Sequence, residues 1–178
     1  MTTWFTSDTH WGHRNILKFC PETRKHADVT EMDNFMIRRW NEQVKHDDTV
    51  YILGDVFFHR PPRALSIVRQ LNGVKHLILG NHDTEIVETP ELAAEFASVR
   101  EYATITIDGI MVVLFHYPIY EWNKMHRGSY HLYGHVHGKV QIDGRAMDVG
   151  WDTRVDNGLW AWEEVHARLK DQVIRTHH

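Results

Sequence analysis

Three short apolar runs, each broken off by a cluster of acids and histidines, constrain this chain more than any other feature. Residues 3–6 (TWFT) lead into Ser7-Asp8-Thr9-His10, residues 49–53 (TVYIL) into Gly54-Asp55, and residues 74–79 (VKHLIL) into Gly80-Asn81-His82-Asp83. Runs this short, rich in β-branched and aromatic residues, read as strands. Between the first two, Met32, Phe35, Met36, Trp40 and Val44 recur at helical spacing over residues 31–45, behind a capping-box-like start at Thr30 and Asp33. Between the second and third, Pro61 and Pro62 open a helix whose stripe is Ala64, Leu65, Val68 and Leu71, with Asn72-Gly73 as its stop. Strand, helix, strand, helix, strand predicts parallel strands joined by crossovers.

The second half reads differently. Residues 102–107 and 110–115 flank Asp108-Gly109, a hairpin signal. Further short strands are expected at 130–133, 138–142 and 146–150, and a last helix at 161–170. An α/β half followed by an antiparallel half predicts two sheets packed face to face with helices outside, in one domain covering residues 1–178.

Composition narrows the function classes. No apolar run approaches the ~18–20 residues of a membrane span, and nothing near Met1 resembles a secretory signal. A formal net charge of −4 argues against a protein that grips polynucleotides or anionic membranes by bulk electrostatics. The single cysteine, Cys20, cannot form an intrachain disulfide; it reads as a small buried hydrophobe, and a cytoplasmic location is the expectation. Fifteen histidines are the unusual number, because imidazole is the commonest metal ligand.

Two more clusters follow predicted strands: His116 after VVLF, and Gly134-His135-Val136-His137. Ligands in α/β sheets gather beyond the carboxyl ends of strands, so all five clusters are expected to converge. In extended backbone residues i and i+2 project to the same side, which would let Asp8 with His10, and His135 with His137, face one centre. Glycines before Asp55, Asn81 and His135 permit sharp turns and close backbone approach. Either histidine pair alone is expected by chance in so histidine-rich a chain; five clusters, each at a strand end, are not.

The ordered series D-x-H, G-D, G-N-H-D, a lone His and G-H-x-H resembles the calcineurin-like metallophosphoesterase superfamily over roughly residues 3–160. The stretch SDTHWGHRN is similar to that of its small single-domain bacterial and phage members. The resemblance implies an α/β fold of two sheets forming a β-sandwich flanked by helices (four layers, αββα). It also implies two divalent metal ions, manganese favoured, with iron, zinc, nickel or cobalt as alternatives. Asp8, His10 and His137 would hold one ion, Asn81, His116 and His135 the other, and Asp55 would bridge them. His82 would contact the phosphate or protonate the leaving group, and Asp83 would orient His82.

The activity implied is hydrolysis of a small phosphate ester by a hydroxide held between the metals. A phosphodiester is slightly favoured over a phosphomonoester, with cyclic nucleotides among the candidates. The rival readings are a nuclease and a non-catalytic metal-bearing scaffold that binds a protein. His13, Arg14 and His59 are candidate substrate contacts from their places beside the first two clusters. Tyr117, Trp122, Lys124, His126 and Arg127 interleave aromatics with bases, for which packing is expected rather than base stacking.

Overall fold

The computed structural model describes residues 1–176; the terminal pair His177 and His178, to which the sequence assigns no role, lies outside the described residues. Three predicted strands are present as β1 (Thr3–Thr6), β2 (Thr49–Ile52) and β3 (Val74–Ile78). They pair in parallel, β1 with β2 and β2 with β3. β4 (Ser98–Arg100) adds to β3 in parallel and β9 (Trp160–Ala161) to β1 antiparallel, giving a five-stranded sheet of order β4-β3-β2-β1-β9. Neither edge strand was expected, and both are too short to carry a readable alternation.

The second sheet has the order β5-β6-β7-β8, formed by β5 (Tyr102–Ile107), β6 (Ile110–Phe115), β7 (Tyr130–Tyr133) and β8 (Ala146–Asp148). Only the hairpin at Asp108-Gly109 is antiparallel; β6–β7 and β7–β8 are parallel, against the expectation of an antiparallel half. The cause is connection length: residues 116–129 and 134–145 carry the chain back to the starting end of the sheet, which a tight turn cannot do. Residues 138–142, expected as a strand, belong to the second of these connections.

Among the described residues six α-helices accompany the sheets: α1 (Ile16–Phe19), α2 (Val29–Gln43), α3 (Pro61–Val68), α4 (Thr84–Glu88), α5 (Pro90–Ala93) and α6 (Trp162–Leu169). The start of α2 corrects the capping expectation. Asp28, not Thr30, is its N-cap: the Glu31 amide donates to the Asp28 carboxylate at 2.9 Å, and the Ala27 amide donates to Glu31 Oε2 at 2.7 Å. That frees Asp33, one turn later, to face inward.

Alternation along the strands sorts the core into layers. Val50 and Ile52 pack with Met36, Trp40 and Val68 of the helices, while Tyr51 and Leu53 turn the other way, toward Leu114 and Leu132 of the second sheet. Val113 alternates to the far face of that sheet, where Trp122 and Met125 cover it. The segment rich in aromatics and bases therefore packs Trp122 as core. The α/β class and the two sheets flanked by helices are as expected. Among the described residues no helix is long and apolar enough to cross a membrane.

Trp40 is fully buried and its indole donates to the Asn72 carbonyl at 3.0 Å. Trp40→Ala is expected to cost about 3–5 kcal/mol, read as a lower urea midpoint with an unchanged slope.

Candidate metal centre

The five clusters do meet, but by a different backbone route from the one the spacing suggested. Asp8, His10, Asp55, His135 and His137 all have left-handed backbone, with φ of 52°, 52°, 55°, 70° and 48°. Extended alternation is therefore not what aims Asp8 with His10, or His135 with His137. Each pair sits in left-handed loop backbone just past a strand, a region that Asp and His enter more readily than most residues. Such conformations cost of order 1–3 kcal/mol each and persist only where the surroundings dictate them.

Those surroundings are specific. The Asp83 carboxylate is buried and accepts from the amides of Asp55 (2.9 Å), Val56 (2.9 Å) and Gly80 (2.8 Å), binding the loops after β2 and β3 together. Arg24, 1% exposed, donates to the carbonyls of Asp8 (2.8 Å) and Thr9 (3.0 Å), and forks onto both oxygens of Asp152 at 2.7 and 3.1 Å. The His135 amide donates to Asp8 Oδ2 at 2.8 Å, drawing the loop after β7 against the loop after β1. Two glycines permit this crowding. A Cβ at Gly80 would collide with the Asp55 carboxylate, and one at Gly134 with the side chains of Ser7 and Asp8.

Two groups of ligand atoms result, Asp8/His10/His137 and Asp55/His116/His135, the atoms of each within 4.8 Å of one another, and a third such group, Cys20/His137/Asp152, shares His137 with the first. His10 Nε2 lies 3.7 Å from Asp8 Oδ1 and 3.8 Å from Asp55 Oδ2, so Asp55 touches both groups. His116 Nε2 is 3.6 Å from Asp55 Oδ2 and 3.2 Å from Asn81 Oδ1, which adds Asn81 to the second group. His137 Nε2 is 3.8 Å from Asp8 Oδ1.

Whether cations fit can be read from the unsatisfied atoms and the imidazole tautomers. Asp8 Oδ1 and His10 Nε2 are buried without a hydrogen bond, although buried polar atoms without partners are costly. His116 Nδ1 donates to the Leu53 carbonyl at 2.6 Å, which leaves Nε2 with its lone pair facing the centre. His137 Nδ1 does the same with Asp152 at 2.8 Å. Imidazoles, carboxylates and one amide suit divalent transition metals, and the residues present fit them.

The electrostatics agree. Burial pushes the Asp8 carboxyl up, but the neighbouring His10, His137 and Ser7 outweigh it and hold Asp8 below its ordinary value. Burial pushes His137 down; its hydrogen bonds to Asp152 and Cys20 and the Asp8 charge overcome it and raise His137 to about 10. Asp152 is itself held well below the carboxylate range, because His137 and Arg24 outweigh its burial. Asp148, which accepts from the Gly138 and Gly150 amides at 2.8 Å each, is lifted by burial to about 6. Burial likewise raises Asp83.

The remaining candidates divide. His82 is exposed at the mouth, its amide donating to Asp55 Oδ1 at 2.9 Å and its ring 4.8 Å from that of Phe58. Asp83 does not orient it: both Asp83 oxygens are taken by backbone amides. His13 stacks on Phe58 at 4.1 Å with Nδ1 3.0 Å from His10 Nδ1, and burial with nearby His10 lowers it to about 4, so it forms an uncharged wall. Arg14 is exposed on the same loop. His59 is drawn away from substrate: its Nε2 bonds Asp33 at 2.6 Å, and its ring covers Gly12, whose amide donates to the same Asp33. Cys20 is only half-buried; it packs against the core under the first sheet, and its Sγ lies 3.8 Å from His137 Nδ1 at the edge of the centre.

Arg24, Asp148 and Asp152 escaped sequence reasoning. No short motif marks them, and Asp152 meets Arg24 across 128 residues of chain.

No family profile matches the chain. The Gene 66 protein of Mycobacterium phage L5 is 30% identical over 182 residues, covering 84% of this chain and 86% of that protein. The uncharacterized protein MJ1445 of Methanocaldococcus jannaschii is 40% identical over 79 residues; the match takes in 43% of this chain and spans 44% of that protein's length. Among solved structures, AQ665 of Aquifex aeolicus, a protein of unknown function, superposes with a TM-score of 0.74 at 23% identity, covering 94% of this chain and 99% of that one. That likeness is one of fold.

Asp152→Ala removes the acceptor that aligns His137 and is expected to weaken metal binding about 10–100-fold in calorimetric titration. Because His137 holds a proton up to about pH 10 in the metal-free protein, loading at neutral pH must release it. The apparent affinity is therefore expected to rise with pH across the neutral range, and the heat of binding to depend on the buffer's ionisation enthalpy.

Proposed function

The chain belongs to the family of the Gene 66 protein of Mycobacterium phage L5, and from the centre built at its strand ends we propose that it is a dinuclear metal-dependent phosphohydrolase acting on small phosphate esters. The observation that carries this reading is the pair of His/Asp groups joined at Asp55, with Asp8 Oδ1 and His10 Nε2 buried and unsatisfied between them. Two divalent ions would bring four positive charges against the two carboxylates Asp8 and Asp55. A net acidic protein would then present a locally positive pocket to a phosphate.

When bound, such ions would acidify water and neutralise phosphoryl oxygens. The chain's own residues do the rest. Asp55, fixed by the His82 amide on Oδ1, holds the two halves of the centre together. Asn81 and His82 stand exposed where an ester would arrive, and His82 hands its proton to the departing alcohol oxygen. A positioned acid of this kind is worth about 10²–10⁴-fold in rate.

The phosphodiester preference and the choice of manganese rest on the resemblance of the motif series. A nuclease is disfavoured by where the basic residues go. Arg24 is buried on Asp152, and Arg39 is paired with Glu42 and Asp156, so these clusters do not form a free stripe for a nucleic-acid backbone.

Turnover of bis-p-nitrophenyl phosphate with manganese is expected, together with its loss to a chelator and its return on re-addition of the metal. His82→Ala is expected to lose most of the rate on esters with poor leaving groups while binding metal normally. Full retention of that rate would remove His82 from the mechanism. No turnover with both metals demonstrably bound would favour a metal-bearing scaffold.

A further inference from the structure

A cavity of about 470 Å³ opens beside the Asn81 end of the centre. Leu79, Gly80 and Phe115 line it together with Val87, Glu101 and Tyr117. Val87 is 53% exposed and Tyr117 36%, so apolar surface faces solvent next to a polar centre.

Two residues join the cavity to the centre. Gly80 lies against the Asp55 carboxylate and the His116 ring. The Tyr117 hydroxyl is 3.4 Å from Asn81 Oδ1, and its ring stands edge-on to His116 and His135 at 4.9 and 4.7 Å. A group attached to a phosphorus held at the centre can therefore pass over the Tyr117 ring into the cavity.

The charge of the lining limits what enters. Asp83 also borders the cavity, but its oxygens are consumed by three amides. Glu101 is exposed, and no cation lines the space. Such a lining accepts hydrocarbon or aromatic surface, tolerates an ammonium group and repels a second phosphate. Hydrolysis forms a bond from phosphorus to a water oxygen, breaks the bond to the alcohol oxygen, and releases the alcohol with a proton. The leaving alcohol is thus neutral at oxygen, and apolar contact is the means left to hold it.

We propose that this cavity is the subsite for the ester's alcohol portion. It selects an apolar or aromatic group, neutral or amine-bearing, over one that carries a further phosphate. The proposal rests on the phosphohydrolase reading and names the substrate class of that site.

The test uses the full chain, first with metals chelated so that probes cannot bind an ion. Benzyl alcohol and benzylamine are expected to shift the methyl resonances of Leu79 and Val87, and benzoate at the same concentration is not. Glu101→Gln should erase any advantage of the amine over the alcohol. Val87→Arg, on the exposed side of a short helix, should abolish the Leu79 shifts. In the metal-loaded protein it should lower kcat/KM for benzyl phosphate about tenfold or more through KM, leaving methyl phosphate unchanged.

Absent shifts, equal shifts from benzoate, or equal slowing of both esters by Val87→Arg would overturn the subsite. Turnover without shifts would overturn the subsite and leave the phosphohydrolase reading standing. Shifts without turnover of either ester or of bis-p-nitrophenyl phosphate would overturn that reading, and the assignment of the cavity with it.

Discussion

The buried carboxylates are the constraint on which the rest of the structure depends. Asp8, Asp55, Asp83 and Asp148 are all buried, and Asp152 is nearly so, around the ends of β1, β2, β3 and β8. Charges of one sign cannot collect in a low-dielectric interior without compensation. Each is compensated differently. Arg24 forks onto Asp152, three amides surround Asp83, and two amides with an elevated pKa serve Asp148. Asp8 keeps one oxygen facing a buried imidazole nitrogen, both without a hydrogen-bond donor. Positive charge is what would compensate it there, and His137, raised to about 10, supplies some as a protonated imidazole.

The same network accounts for the strained loops. Left-handed backbone at Asp8, His10 and Asp55 turns the chain sharply just past β1 and β2, while backbone bonds from Asp8 to Gly54 (2.9 Å) and from His10 to Asp55 (3.1 Å) keep the two loops side by side. Parallel strands are what make this arrangement available, because their carboxyl ends lie at one edge of the sheet. The second sheet adds His116, His135 and His137 from its own parallel pair β6 and β7. Had that half been antiparallel throughout, as its hairpin suggested, those two strands would have ended on opposite sides.

That these residues gather in one place was therefore legible in the sequence, since short strands ending in Asp, Asn and His leave a local trace. The i, i+2 spacing brought the pairs to the same place through the wrong backbone, because spacing alone does not distinguish an extended segment from two left-handed residues flanking a third. Partners that act at long range left no trace. Asp33 reads as part of a helix start, yet its carboxylate holds His59 and the Gly12 amide. Asp83 reads as the neighbour of His82, yet its bonds run to Asp55 and Val56, 28 and 27 residues away. In both cases a residue's chemistry was correct and its direction undetermined, because direction depends on packing between elements.

Exposure across the centre is uneven, and this fixes the side from which anything can reach it. Asp8, His10 and His116 are buried, and Phe58 with the uncharged His13 closes the His10 flank. Asn81, His82 and His135 are exposed, and Tyr117 borders them. Candidate donors that are buried on one side and open on the other leave the site reachable from the Asn81 side, as a catalytic metal site would need and a closed structural one would not. A site built only to brace the fold would have no reason to leave Asn81, His82 and His135 at the surface.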